Sequence, residues 1–244
     1  MGCVGQVPSK HVTERGCMSD LRALRNQIVE AATRLVATGI LTKSNHGNMS
    51  IRVPGTDTFL LTSVSNLSQI SEEAIGLFDF ENNLLDGSVA PTSAEIIPMH
   101  GIIYRLRPNA GSALHTHSPF ATAFAVASKA IPVSYEAMVR FGFDAGVPVA
   151  AYGPRGSEES VSNIASVLDD PAVNRGLLLE NHGVLTFGAN VNEAVAANQV
   201  MEESAEIIMY AENLGGATEI ALEKRVAAQQ RMQTFSDAGA KTSN

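Results

Sequence analysis

The stretch Ser112-Ala-Leu-His115-Thr-His117-Ser118-Pro119-Phe-Ala-Thr-Ala-Phe-Ala-Val126 marks the sharpest change of pattern in the chain. Residues 112–117 read as a strand, and Pro119, whose missing N–H does no harm in a first turn, opens a helix over 119–128. A strand sets residues i and i+2 on one face roughly 6.6 Å apart, so His115 and His117 point the same way. Two imidazoles so placed can close on one metal ion, but taken alone the spacing is weak evidence and fits two core or exposed histidines better. A third histidine bears on the choice. Asn181-His182-Gly183 is a tight turn between strands at 176–180 and 184–187, and its glycine allows the backbone reversal that aims an imidazole at a neighbouring strand. Three histidines with an open position is the ligand count of catalytic rather than structural zinc.

Upstream, residues 93–107 place Ile97, Ile102, Ile103 and Leu106 around a helix, with Thr92 or Ser93 as its cap and Glu95 in its first turn. His100 lies on this helix among apolar neighbours, where a hydrogen-bonded core histidine is expected. Residues 48–53 and 58–62 flank the turn Pro54-Gly55-Thr56-Asp57 as a hairpin, and 76–80 with 84–85 form another. Leu21, Leu24, Ile28, Ala31, Ala32, Leu35 and Val36 recur at helical spacing up to Gly39. Downstream come a strand at 147–152, a helix at 158–168 and two closing helices at 191–214 and 218–235. Hairpins and helices interleave without a regular βαβ repeat. The expected class is therefore α/β, a three-layer αβα arrangement around a central, mostly antiparallel sheet. No linker-like composition shift or internal repeat interrupts 19–235, which reads as one domain between a disordered leader, 1–18, and a flexible tail, 236–244.

With 244 residues, 45% hydrophobic and 17% charged, the chain has ample material for a core. A formal net charge of −8 without any Lys/Arg cluster argues against nucleic acid or an anionic membrane as a partner. The apolar run 120–128 is far short of the roughly 20 residues that a bilayer requires. Cys3 and Cys17 both fall near the N-terminus, leaving the core without a disulfide, which fits a reducing, cytoplasmic setting. The start Met1-Gly2-Cys3 has Gln6 where the myristoylation pattern wants Ser or Thr. Met99, Met138, Met201 and Met209 read as packing residues, and Glu202, Glu203 and Glu206 as a solvated helix face.

Gly47-Asn48-Met49-Ser50, Pro91-Thr92-Ser93-Ala94-Glu95, Tyr104-Arg-Leu-Arg-Pro108 leading to His115-Thr-His117-Ser118, and Asn181-His182-Gly183 together resemble the class II aldolase/adducin superfamily over roughly residues 20–215. The resemblance implies an αβα fold assembled as a homotetramer, with active sites between neighbouring subunits. It implies a divalent metal, usually zinc, held by His115, His117 and His182, and a catalytic carboxylate at Glu95. It also places Asn48, Ser65 and Ser93 at the substrate. Three departures from the pattern are informative. Glu95 precedes His100 by five residues rather than four, so an ungapped match would put Ile96 at the base position. Val64-Ser65 and Ala94 stand where a phosphate cradle has Thr-Gly and a second Ser. After Tyr210 no Tyr or His follows, leaving Tyr135 or its neighbour Glu136 as the substitute at the site.

The function expected is that of a metal-dependent carbon–carbon lyase working through an enolate-type intermediate, by aldol cleavage of a small hydroxy carbonyl substrate. Decarboxylation of a hydroxylated aromatic dicarboxylate or keto acid on the same site is the alternative. Zn²⁺ is the expected ion, although three imidazoles also accept Mn²⁺, Fe²⁺ or Co²⁺. Retention of three histidines and Glu95 argues against a scaffold that kept the fold and lost the chemistry.

Overall fold

The computed structural model describes the backbone of residues 10–242 and the side chains of residues 20–90 and 93–235. Within it lies an eight-stranded sheet: β1 (Gly47–Arg52), β2 (Thr58–Thr62), β3 (Ile75–Asp79), β4 (Leu84–Asp86), β5 (Ser112–Thr116), β6 (Val149–Ala150), β7 (Gly176–Leu179) and β8 (Gly183–Gly188). The spatial order is β4-β3-β2-β1-β5-β8-β7-β6, antiparallel throughout except for the parallel β6–β7 pair at one edge. The helices are α1 (Lys10–Ala37), α2 (Ile97–Leu106), α3 (Pro119–Val126), α4 (Glu136–Arg140), α5 (Glu158–Leu168), α6 (Val191–Glu212) and α7 (Leu222–Thr242).

The period-two alternation of the strands sorts their side chains into two layers. Phe59 and Leu61 of β2, Leu177 and Leu179 of β7, and Leu185 and Phe187 of β8 turn to one face, where they pack with Ile103 and Tyr104 of α2 and Ile164 and Leu168 of α5. Met49 and Ile51 of β1, Leu60 of β2 and Leu114 of β5 turn to the other. There they meet Ile28, Ala31, Ala32 and Leu35 of α1, a stripe at helical spacing, and Val191 and Ala194 of α6. Further along the same face, Leu178 and Val184 pack against Ala121 and Ala125 of α3, Met138 of α4, and Ala197 and Met201 of α6. The three-layer αβα arrangement read from the sequence is thus the observed one.

Several boundaries differ from the sequence reading. Helix α1 starts at Lys10, inside the stretch expected to be a leader, and α7 runs on to Thr242 through the expected tail; residues 1–9, with Cys3, lie outside the described residues. The helix expected from Ser93 starts at Ile97 instead, and residues Pro91–Ile96 form a 3₁₀ segment without a side-chain cap. Pro98 explains this, because a proline ring collides with the carbonyl four residues back and is accommodated only in a first turn. The short α4 and two 3₁₀ turns at Leu67–Gln69 and Glu72–Ala74 carry too few residues to show a period. Met99, Met138 and Met201 are buried as expected, whereas Met209 is exposed. Among the described residues, no helix is long and apolar enough to cross a membrane.

Candidate metal centre and active site

Strand β5 delivers His115 beside its end and His117 just beyond it, and the neighbouring β8 pairs Val184 with Thr116 and Leu185 with His115. Residues 180–182 close the β7–β8 hairpin, in which Leu179 faces Gly183. Asn181 takes a left-handed conformation there, with φ 54°, which asparagine tolerates better than most residues. The loop throws His182 onto the β5 histidines. The three rings lie with centroids 4.7, 4.9 and 5.2 Å apart, and one nitrogen from each lies within 4.8 Å of the others.

Gly183 is required by this approach: a Cβ there would sit 2.6 Å from His117 Cδ2 and 2.6 Å from the Thr116 carbonyl. Gly183→Ala is therefore expected to destabilise the fold by about 1–3 kcal/mol, the usual overpacking cost. If the triad takes up a metal, the change should also weaken that uptake, because the nearest movable atoms belong to the His117 ring. Denaturant titration and metal analysis of the variant check both effects; parental stability and metal content together would contradict the steric argument.

The ring chemistry fits a divalent ion. His115 Nδ1–H donates to the Val184 carbonyl at 2.8 Å, which fixes the tautomer and leaves the Nε2 lone pair for a metal. The Nε2 of His117 is buried without a hydrogen-bond partner, a costly state for a polar atom unless it is a ligand. All three rings are held neutral, the form that binds metal. Burial, with His182 and His117 nearby, pushes His115 well below the usual histidine range. His117 is brought down to about 4, mainly by burial, with His182, His46 and Arg155 adding to it. Burial and Arg155 lower His182.

Of the residues expected at the substrate, Asn48 is buried on β1, opposite His115 in the strand register. His100 is fully buried and held down to about 3 by that burial, so it is neutral and carries one N–H. Its Nε2–H donates to Asn48 Oδ1 at 2.6 Å, its Nδ1 accepts from Ser50 Oγ at 2.7 Å, and Tyr104 OH donates to Ser50 Oγ at 2.6 Å. This chain uses the amide oxygen of Asn48 and leaves its NH₂ for other partners. His100 is the hydrogen-bonded core histidine expected. The Ser65 backbone meets the residue before Asn48, its carbonyl accepting from Gly47 N–H at 2.9 Å. Ser93 is buried in the 3₁₀ segment, and its Oγ has no hydrogen-bond partner there.

Glu95 lies on that same segment, not in the first turn of a helix, and Ile96 is buried in the α2/α5 core. An isoleucine in that core can move no proton, so Glu95 is the carboxylate this turn presents. Its Oε2 pairs with Arg155 Nε at 2.9 Å, both side chains being about half exposed. Gly156 brings the Arg155 loop close: a Cβ on it would come within 2.9 Å of Glu95 Cβ. Arg155 also acts electrostatically on His117 and His182, lowering both.

Tyr135 is half-buried just ahead of α4. It packs against the α3/α4/α6 cluster, and its hydroxyl donates to Glu203 Oε1 at 3.4 Å; Glu136 is exposed at the start of α4. The structure also corrects the reading of the acidic run, because Glu202 is buried and accepts from the Phe120 and Ala121 N–H groups. Two neighbours of the triad carried little or no weight in the sequence. The His46 ring stacks on His117 at 5.7 Å and 13°, foreshadowed only by its place before Gly47-Asn48. Arg155 is signalled by nothing more than a lone cation in Gly153-Pro154-Arg155-Gly156, a turn directly after a strand.

Fold and site together define a class of protein: an αβα sheet bearing three histidines at adjoining strand ends. A solved structure of an L-fuculose 1-phosphate aldolase superposes with a TM-score of 0.76 at 25% identity, covering 86% of this chain and 96% of that one. An L-fuculose phosphate aldolase from Methanococcus maripaludis is 32% identical over 170 residues, 69% of this chain and 87% of the relative. A 3-oxo-tetronate 4-phosphate decarboxylase from Escherichia coli is 26% identical over 201 residues, 78% and 90% of the two chains. The family model for the Class II Aldolase and Adducin N-terminal domain matches residues 26–209. The chain belongs to the class II aldolase and adducin family, and it is an enzyme, a class II aldolase-type lyase.

Proposed function

We propose that the protein is a metal-dependent carbon–carbon lyase that cleaves a small hydroxy carbonyl substrate by a retro-aldol reaction. The observation that supports this most is the triad itself: three neutral imidazoles, one fixed in tautomer by Val184 and one with a buried, unpartnered Nε2. A divalent ion, for which Zn²⁺ is our reading, would be held by His115, His117 and His182 and would act as a Lewis acid on the negative charge developing on substrate oxygen.

The chain's own groups supply the rest. Retro-aldol cleavage removes the proton of the hydroxyl β to the carbonyl and breaks the bond between the α and β carbons. The electron pair is left on the α carbon as an enolate, and an aldehyde departs. Glu95 carries the proton, and Arg155 beside it holds the carboxylate in place. The Asn48 amide, with its oxygen committed to His100, presents N–H donors to the substrate, and the Ser93 and Ser65 hydroxyls complete the polar lining. Tyr135, packed on the α3/α4/α6 face, would serve from a neighbouring subunit of a homotetramer, the assembly that we infer from the family resemblance; the cytoplasmic setting is inferred from the two N-terminal cysteines alone.

One feature favours decarboxylation as a second reading. Arg155, paired with Glu95, lies within electrostatic reach of His117 and His182, and a guanidinium suits a carboxylate, while Val64-Ser65 and Ala94 replace parts of a phosphate cradle. The relatives' names span both chemistries, an aldolase of a sugar phosphate and a decarboxylase of a phosphorylated oxo acid. Incubation with sugar phosphates and with hydroxy aromatic carboxylates, following aldehyde and CO₂ separately, is expected to give aldehyde release that disappears on chelation and returns with Zn²⁺. CO₂ release alone would instead establish the second reading, and cleavage insensitive to chelation would reject the metal centre.

A further inference from the structure

A closed ring of three buried hydrogen bonds flanks His117. Asn198 Nδ2–H, from α6, donates to Thr116 Oγ1 at 2.8 Å, and Ser118 Oγ–H donates to Asn198 Oδ1 at 3.1 Å. The Thr116 and Ser118 hydroxyls meet at 2.8 Å. With the Ser118 proton committed to Asn198, the ring closes only with Thr116 O–H donating to Ser118 Oγ. All three side chains are fully buried. One amide thus grips the residues on both sides of His117.

One turn further along α6, Glu202 accepts from Phe120 N–H at 2.9 Å and Ala121 N–H at 2.8 Å, in the first turn of α3. Ser118 occupies the N-cap position of α3 yet makes no side-chain cap bond to it. Capping is the usual work of a serine there, and here it falls to Glu202, while the Ser118 hydroxyl goes to Asn198. Burying a carboxylate is expensive when an apolar residue would pack as well. Asn198 and Glu202 stand out on a helix face that carries Val195, Ala197, Val200, Met201, Ala205 and Ile208, and whose other buried polar residue, Ser204, spends its hydroxyl on the Val200 carbonyl of its own helix.

We propose that Asn198 and Glu202 are positioning residues for His117: together they fix the 116–121 backbone on α6 and thereby aim the imidazole into the triad. The inference rests on the metal reading of the three histidines. Residues that orient ligands typically change metal affinity 10–100-fold when lost, and that range is the effect expected here.

The test uses Co²⁺ alone as probe, with the full chain, reading its dissociation constant by chelator competition and the visible bands of the bound ion. Asn198→Ala, Ser118→Ala and Glu202→Gln should each weaken Co²⁺ binding about 10–100-fold and shift the bands, while circular dichroism stays parental. Val200→Ala, a cavity on the same helix outside the hydrogen-bonded set, should lower stability and leave affinity and bands unchanged. Should Asn198→Ala fail to fold, Ser118→Ala, which removes one hydroxyl, decides. Folded clamp variants that keep affinity within about threefold and the parental bands, or an equal loss in Val200→Ala, would overturn the proposal. A wild-type protein that takes up no Co²⁺ would overturn the metal reading itself, a result distinct from parental binding by the variants.

Discussion

His117→Ala is expected to fold, to hold under ~0.1 metal ion per chain, and to lose carbon–carbon cleavage by on the order of 10³-fold. The ring is only partly buried and its Nε2 has no protein partner to leave stranded, so its removal costs packing more than hydrogen bonding. What remains is a two-imidazole site on His115 and His182, one ligand short of the smallest catalytic zinc set. The magnitude follows from the several kcal/mol that a Lewis acid contributes to charge stabilisation, each 1.36 kcal/mol being about tenfold in rate. Metal analysis beside a turnover assay checks it. Full metal content with parental turnover in His117→Ala would remove the triad from the mechanism.

Glu95→Gln should separate chemistry from metal binding. The amide keeps the shape of the side chain and can still meet Arg155 through its oxygen, yet it can neither take nor return a proton. A fall in kcat of roughly 10²–10⁴ with unchanged metal content is the signature of a lost general acid/base. The competing account makes Glu95 a surface ion pair with Arg155, both being about half exposed; such pairs contribute about 0–1 kcal/mol to stability and nothing to turnover. Near-parental kcat in Glu95→Gln would select that account and leave the proton to another group.

The parts of this fold legible in the sequence are those set by local period and turn chemistry. The β1–β2 hairpin around Pro54-Gly55, the helix Glu158–Leu168 and the strand carrying His115 stand where their patterns put them. The triad was legible for the same reason, since a strand spacing and a glycine turn determine where imidazoles point. Glu202 was not, because a glutamate in Glu202-Glu203 looks the same whether its neighbour is water or the N-terminus of α3, over 80 residues away in sequence. Helix α2 began late because one proline outweighed a good cap, and the Glu95–Arg155 pair depends on a loop packing that no period records. Asn198 carried no signal at all: one amide in an alanine-rich helix gains its meaning only from the strand end it meets.

Strand β5 lies in the middle of the sheet between β1 and β8, and two of the three histidines come from its end while the third comes from the turn before β8. His115 and its Val184 acceptor are 69 residues apart in the chain. A one-residue slip of β5 against β8 would turn His115 to the α1/α6 side of the sheet and dissolve the triad. A chain emerging from the ribosome therefore lacks the third histidine until residue 182 has been made, and if the triad holds a metal, its uptake during synthesis would report one event, the closing of β5 onto β8 in the native register.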